Sequence, residues 1–88
     1  MNTCDICHVL VIIDGTNEDV LEVVELERFD KQKFIKQLDV PAHTDPEMLD
    51  RYVIGPDDVA FISGFLSKKI EFNFSAKGYW IEAVKQDA

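Results

Sequence analysis

The hydrophobic positions change their spacing along the chain, and each spacing predicts a different element. Residues 6–13, ICHVLVII, are almost entirely apolar and β-branched. Such a run is typical of a strand covered on both faces and therefore central in its sheet. Residues 14–17 supply turn chemistry. The segment 20–27 has Val20, Val24 and Leu26 on one parity, which Glu22 breaks, and pairs naturally as the second arm of a hairpin.

A helical spacing then replaces the strand pattern. Asp30 can accept hydrogen bonds from the first free N–H groups of a helix over 31–38. Phe29 and Phe34 occupy the two ends of a hydrophobic staple, and Pro41 stops the helix.

The next stretch, 39–50, is rich in proline and acids and predicts an irregular loop. Residues 51–54 predict a short extended segment. A second helix opens at Pro56, with acids in its first turn and Lys68 and Lys69 at its far end, as the helix dipole favours. Its predicted buried stripe is Val59, Ile62, Phe65 and Leu66.

The chain closes with a second predicted hairpin. Residues 70–74, IEFNF, alternate strictly between apolar and polar, which predicts a half-exposed strand. A turn at 75–78 leads to a final strand at 79–85. The whole pattern predicts one α+β domain over residues 1–88: an antiparallel sheet of about four strands, a hairpin at each end of the chain, and two helices on one face.

Charge narrows the choice of partners. Seventeen acids against nine bases give a net charge of −8. This charge opposes binding to nucleic acid and to anionic membranes, which need a basic face, and suits solubility or a basic protein partner. No signal-peptide or membrane-spanning pattern is visible, so we expect a cytoplasmic chain. We also expect the chain to be a monomer when free.

The segment Cys4 to His8 fits C-x-x-C-H, the spacing of covalent haem attachment. His8 would point away from Cys7 in a strand, no second paired arm exists for zinc, and a redox dithiol usually begins a helix. We therefore expect no cofactor or metal, with Cys7 a small buried apolar residue and Cys4 in a frayed terminus.

Catalytic signals are sparse. No glycine-rich phosphate loop, G-x-S-x-G, H-E-x-x-H or EF-hand spacing occurs. His43 beside Asp45 could act as a general base, but a histidine near an acid is common on surfaces. The sequence favours a protein that is not an enzyme.

An acidic, aromatic-bearing surface is the better candidate site. Charge can steer association while aromatic side chains supply affinity. The candidate anchors are Tyr52, Tyr79 and Trp80, with core packing the competing interpretation for Trp80. The predicted partner-binding residues are Asp45, Glu47, Asp50, Tyr52, Asp57 and Asp58.

Residues 52–84, YVIGPDDVAFISGFLSKKIEFNFSAKGYWIEAV, resemble a family of small acidic bacterial proteins encoded beside polymorphic toxins. The shared features are a short tyrosine-bearing strand, an acidic helix start, an I-x-F-x-F segment and an aromatic final strand. Residues 9–38 are similar to the same family in their hairpin and acid-capped helix, whereas 1–8 and 41–46 lie outside the resemblance.

The resemblance implies an immunity protein of a contact-dependent growth inhibition system. Such a protein neutralises a cognate toxin domain, often a nuclease, by blocking its basic cleft with an acidic surface. Two other hypotheses stay open on the sequence: a regulatory or structural module that associates with itself or with a larger complex, and a small enzyme or metal protein using His43 or the cysteine pair.

Overall fold

A computed structural model describes residues 6–85 and confirms the α+β architecture. Four antiparallel strands form one open sheet in the order β2-β1-β4-β3, and two short helices accompany it. The elements are β1 (Ile6–Asp14), β2 (Val20–Glu25), α1 (Lys31–Leu38), β3 (Tyr52–Val53), a 3₁₀ turn (Pro56–Asp58), α2 (Val59–Ser63) and β4 (Lys77–Lys85).

The first strand is central, as its continuous apolar run predicts. β1 pairs with β2 on one side and with β4 along its whole length on the other. Leu10 and Ile12 face a single core that also receives Phe34 of α1 and Ile62 of α2. Both helices therefore pack on the same face of the sheet, and no other element within residues 6–85 covers the opposite face.

Helix α1 begins and ends through local contacts. The Asp30 carboxylate accepts a hydrogen bond from the backbone N–H of Lys33 at 3.2 Å, and the rings of Phe29 and Phe34 lie 4.5 Å apart. Asp39 follows the helix in the left-handed conformation, with φ of 55°. The chain has thus already left the helix two residues before Pro41.

The second helix is shorter than its apolar stripe suggests. Pro56 opens a 3₁₀ turn, and the α-helical part covers only 59–63. Phe65 and Leu66 still pack against the core. The segment 65–67 runs beside β2, where Ser67 N–H donates to the Glu25 carbonyl at 3.1 Å. β2 therefore ends at Glu25, two residues before its predicted limit.

The predicted strand at 70–74 does not form, and the C-terminal hairpin is absent with it. β4 already has β1 on one edge and β3 on the other, so no edge is left for another strand. Phe72 and Phe74 instead stack with each other and pack against Tyr79, with ring centroids 4.8 and 5.0 Å from the tyrosine ring. The alternation correctly marks the buried side chains and wrongly predicts strand pairing.

Two turns meet at one end of the sheet. Gly15 N–H donates to the Ala76 carbonyl at 2.9 Å. A Cβ at Gly15 would lie 2.8 Å from that same oxygen, so only glycine permits this approach. Within residues 6–85, no helix is long and apolar enough to cross a membrane.

Candidate protein-interaction surface

The proline- and acid-rich segment 39–50, here called the acidic loop, is held together by hydrogen bonds to Asp45. Its carboxylate accepts hydrogen bonds from the backbone N–H groups of Leu49 at 2.8 Å and Asp50 at 3.1 Å, and from the hydroxyl of Tyr52. Three donors on one carboxylate fold the loop back onto the start of β3. Asp45 is therefore a positioning residue of the loop, and both of its carboxylate oxygens already accept hydrogen bonds within the chain.

These contacts shift the pKa values of Asp45 and Tyr52 in opposite directions. The hydrogen bond from Tyr52, followed by the one from the Leu49 N–H, lowers the pKa of Asp45 below its usual 3.8. Burial, followed by the hydrogen bond to Asp45, raises the pKa of Tyr52 to about 12. The Asp45 carboxylate is thus charged and the Tyr52 hydroxyl protonated across the neutral range.

Two other predicted site residues are tied to opposite ends of α1. Glu47 forms an ion pair with Lys31, the first residue of the helix, at 2.8 Å. Asp58 accepts from the Gln37 side-chain amide at 2.9 Å and from the Gly55 N–H at 3.0 Å. The two anchor points, Lys31 and Gln37, are six positions apart along the helix, a rise of about 9 Å. The acidic segments 45–50 and 57–58 therefore flank α1.

Asp50 and Asp57 are the two predicted site residues whose carboxylates are most available. Both residues are exposed, and neither forms an ion pair within the part of the chain that the structure describes. Together with the solvent-facing part of Glu47, they form the accessible negative charge of this region. We call Glu47, Asp50 and Asp57 the acidic rim.

The three aromatic residues predicted as binding anchors lie in three different environments. Tyr79 is 2% exposed and its hydroxyl accepts the Asn73 N–H, so its prediction as a binding anchor is wrong. Tyr52 is half-buried and its hydroxyl is committed to Asp45. Trp80 is half-buried outside the main core, on the sheet face that carries no helices, so the core-packing interpretation is also wrong.

The described part of the C-x-x-C-H segment, residues 6–8, belongs to β1. His8 stacks on Phe29 with ring centroids 4.2 Å apart, and its Nε2 lies 3.0 Å from the Met48 carbonyl oxygen. Alternation along β1 places Cys7 on the opposite face, half-buried rather than fully buried. Cys4 lies outside the described residues. Within 6–85, no three His, Cys, Asp or Glu side chains group closely enough to hold a metal ion.

The general-base pairing of His43 with Asp45 finds no geometric support. The hydrogen bonds of the Asp45 carboxylate run to Tyr52 and to two backbone N–H groups, and His43 is exposed on the preceding turn. Asp45 therefore does not orient this histidine.

Sequence reasoning missed the residues that connect the loop to the sheet. The Arg51 guanidinium lies 4.9 Å from the Trp80 ring centroid, and its Nε lies 3.1 Å from Glu82 Oε1. A shallow depression of about 500 Å³ opens here, beside the loop. It is lined by Pro41, Leu49, Asp50, Arg51, Tyr52, Glu82 and Ala83. Only the strand register, which no local pattern carries, brings Arg51 and Glu82 together.

Comparison with known proteins yields a family and no function. No curated protein and no solved structure matches the chain. The family model of a domain of unknown function, DUF7683, matches residues 7–82. This match covers most of the sheet, both helices and the acidic loop, and the chain belongs to the DUF7683 family.

Proposed function

We propose that this chain is an immunity protein that binds and neutralises a cognate bacterial toxin domain. The observation that carries the proposal is the acidic rim: Glu47 and Asp50 lie on the loop that the Asp45 carboxylate organises, and Asp57 lies in the 3₁₀ turn after β3. The partner is a basic domain, with a nuclease the best fit because nuclease clefts bind phosphates. Occlusion of that cleft by the acidic rim is the proposed mode of inhibition.

Electrostatics gives the proposal its physical basis. A net charge of −8 steers a basic partner toward the chain and raises the rate of encounter. A loop already ordered by hydrogen bonds loses little conformational entropy on binding. The acidic rim supplies the orienting charge, whereas Asp45, Tyr52 and Asp58 act by keeping the segments in place.

The first experiment identifies the partner. The purified chain serves as bait in lysate of the native host at low and at high salt, and mass spectrometry identifies the retained proteins. A stoichiometric, salt-sensitive basic domain from the end of a large secreted protein supports the proposal. A salt-resistant complex with a housekeeping assembly supports the regulatory or structural module instead.

The second experiment locates the contact on the purified toxin domain. Reversing the acidic rim (E47K, D50K, D57K) should slow association by more than about tenfold, since close charges dominate steering. The matched control reverses three exposed acids elsewhere, E18K, D19K and E71K, with the same change in net charge. Equal slowing by both sets would mean that net charge alone matters, and no slowing by either would refute an acidic contact surface.

A further inference from the structure

The sheet face without helices carries an apolar row that crosses all four strands. Antiparallel register aligns Val23 of β2 with Val11 of β1, Val11 with Trp80 of β4, and Trp80 with Val53 of β3. Val23 is 53% exposed and Val53 77%. Val11 is 5% exposed although it is not part of the main core, because Val23 and Trp80 flank it.

A second row of residues on the same face, two positions along each strand from the first, carries the charged side chains of this face. Val9 aligns with Glu25 of β2 and with Glu82 of β4. Arg51, immediately before β3, reaches Glu82 across the same row. Glu25 and Arg51 therefore occupy opposite ends of one row. Two acids and one base leave this face almost neutral, unlike the rest of a chain of net charge −8.

We propose that this face packs against the same face of a second copy, about a twofold axis parallel to the strands. Such an axis exchanges β2 with β3 and β1 with β4 and keeps each row at its own level. The apolar row then covers itself, with Val23 over Val53 and Val11 over Trp80. In the second row, Glu25 of each copy meets Arg51 of the other.

Charge complementarity selects both this occupant and this axis. A twofold axis running across the strands would place β2 over β2 and bring Glu25 to no base. The strand-parallel axis instead pairs the free acid with the base at both ends of the interface, as a symmetric interface requires. Two sheets packed face to face in this way form a β-sandwich, the usual means of covering an open apolar face.

The area of the face sets the strength of the association. Four strands about 4.8 Å apart and at most nine residues long give a face of roughly 450 Å², since the outer strands are short. Two copies then bury roughly 900 Å² in projection, close to the ~1,000 Å² that specific interfaces need. The dimer is therefore a weak one, with a dissociation constant on the order of micromolar or higher. This association does not depend on the proposed immunity function.

Sedimentation velocity of the whole chain over a wide concentration range tests the proposal. The mass of the wild type should approach twice the monomer mass as concentration rises. V53D should weaken the dimer by more than about tenfold, because it buries an unpaired charge in the apolar row. A60D is the matched control, adding the same charge at an exposed position of α2 on the other side of the sheet. A wild type that stays monomeric, or equal effects of both variants, overturns the proposal.

A charge exchange tests the axis. E25R and R51E should each dimerise several-fold more weakly than the wild type, since each places like charges together twice. An equimolar mixture of the two should regain the wild-type affinity, because both contacts in the heterodimer again join opposite charges. Circular dichroism of each variant checks that the fold is intact. A mixture no stronger than its components overturns the strand-parallel arrangement.

Salt separates this association from toxin binding. Two copies of net charge −8 repel one another over their whole surfaces, which outweighs the two Glu25–Arg51 pairs at the ends of the interface, so added sodium chloride should strengthen the dimer. The same salt should weaken binding of a basic toxin domain. A dimer that weakens with salt would contradict packing through a nearly neutral apolar face.

Discussion

Three acids of one loop, Asp45, Glu47 and Asp50, make different contacts although the sequence does not distinguish them. The sequence identified Asp45, Glu47 and Asp50 alike as loop acids with no helix to cap. The structure gives three donors to the first, an ion pair to the second and solvent to the third. No periodicity links position 45 to Tyr52, so the hydrogen bond that distinguishes Asp45 could not be predicted from spacing.

Tyr52→Phe isolates this contact with a minimal change of shape. Removal of the hydroxyl leaves the Asp45 carboxylate with two of its three donors. We expect a loss of about 1 kcal/mol in the free energy of unfolding, or roughly 4–8 °C in the midpoint of thermal unfolding for a domain of this size. Thermal unfolding followed by circular dichroism measures it, and an unchanged midpoint would contradict a loop held by this bond.

The same pair gives a defined pH dependence. The folded pKa of Asp45 lies below its usual 3.8, so its stabilisation is present above that pH and is lost as pH falls through the folded value. The folded pKa of Tyr52 is about 12 against a usual 10.0, so its stabilisation is present below pH 10 and is lost as pH rises toward 12. The difference in stability between the wild type and Tyr52→Phe should therefore be flat near neutrality and shrink at both extremes. Chemical denaturation at a series of pH values measures this difference, and a difference independent of pH would contradict the assignment.

Among the helices and strands, the sequence correctly predicted those whose bounds are set by contacts between residues close in the chain. The bounds of α1 agree with the structure because its cap, staple and apolar stripe all lie within a few residues. The segment 70–74 was wrongly predicted as a strand because alternation reports which side chains are buried and not which edge is free to pair. The short β3 holds the edge that 70–74 would need, and that competition between distant segments has no local signature.

Two glycines at element ends should respond to alanine with opposite signs. At Gly15 a Cβ meets the Ala76 carbonyl oxygen at 2.8 Å, so Gly15→Ala must push two turns apart and should destabilise the fold by about 1–2 kcal/mol. At Gly64 the nearest atom is at 3.7 Å and φ is −70°, so Gly64→Ala should be neutral or stabilise by about 0.5 kcal/mol. Urea unfolding measures the change in the free energy of unfolding for each variant. Equal changes would show that the turn at Gly15 does not touch the turn at Ala76 in solution.

For the whole molecule, composition indicated the sign of the surface but not its distribution. The net charge of −8 was visible at once, whereas the nearly neutral sheet face depends on a four-strand register. That register places the half-exposed Trp80 between Val11 and Val53. A sequence with one tryptophan in an apolar strand gives no means of choosing between core and surface, because both faces of that strand carry apolar residues. The acidic rim and the sheet face are therefore separate surfaces, the first negatively charged and the second apolar and nearly neutral.

The excess of acids should also make the fold more stable in salt. The described residues form three ion pairs, Lys31–Glu47, Arg51–Glu82 and Lys68–Glu22, all with solvent-exposed members. Exposed pairs contribute little, and salt weakens them slightly. Repulsion among seventeen acids facing nine bases is spread over the whole surface, and salt screens it as well. Since the repulsion is the larger effect, the free energy of unfolding should rise by about 1 kcal/mol between low salt and about 0.5 M sodium chloride.

Thermal unfolding at protein concentrations well below the onset of self-association measures this gain without a contribution from the dimer. Asp50→Asn combined with Glu71→Gln is the control, since both carboxylates are exposed, neither forms an ion pair in the described chain and neither lies at the start of a helix. This variant should start more stable than the wild type at low salt and gain less as salt rises, because part of the repulsion is already removed. A wild type that loses stability in salt would show instead that the three ion pairs outweigh the repulsion.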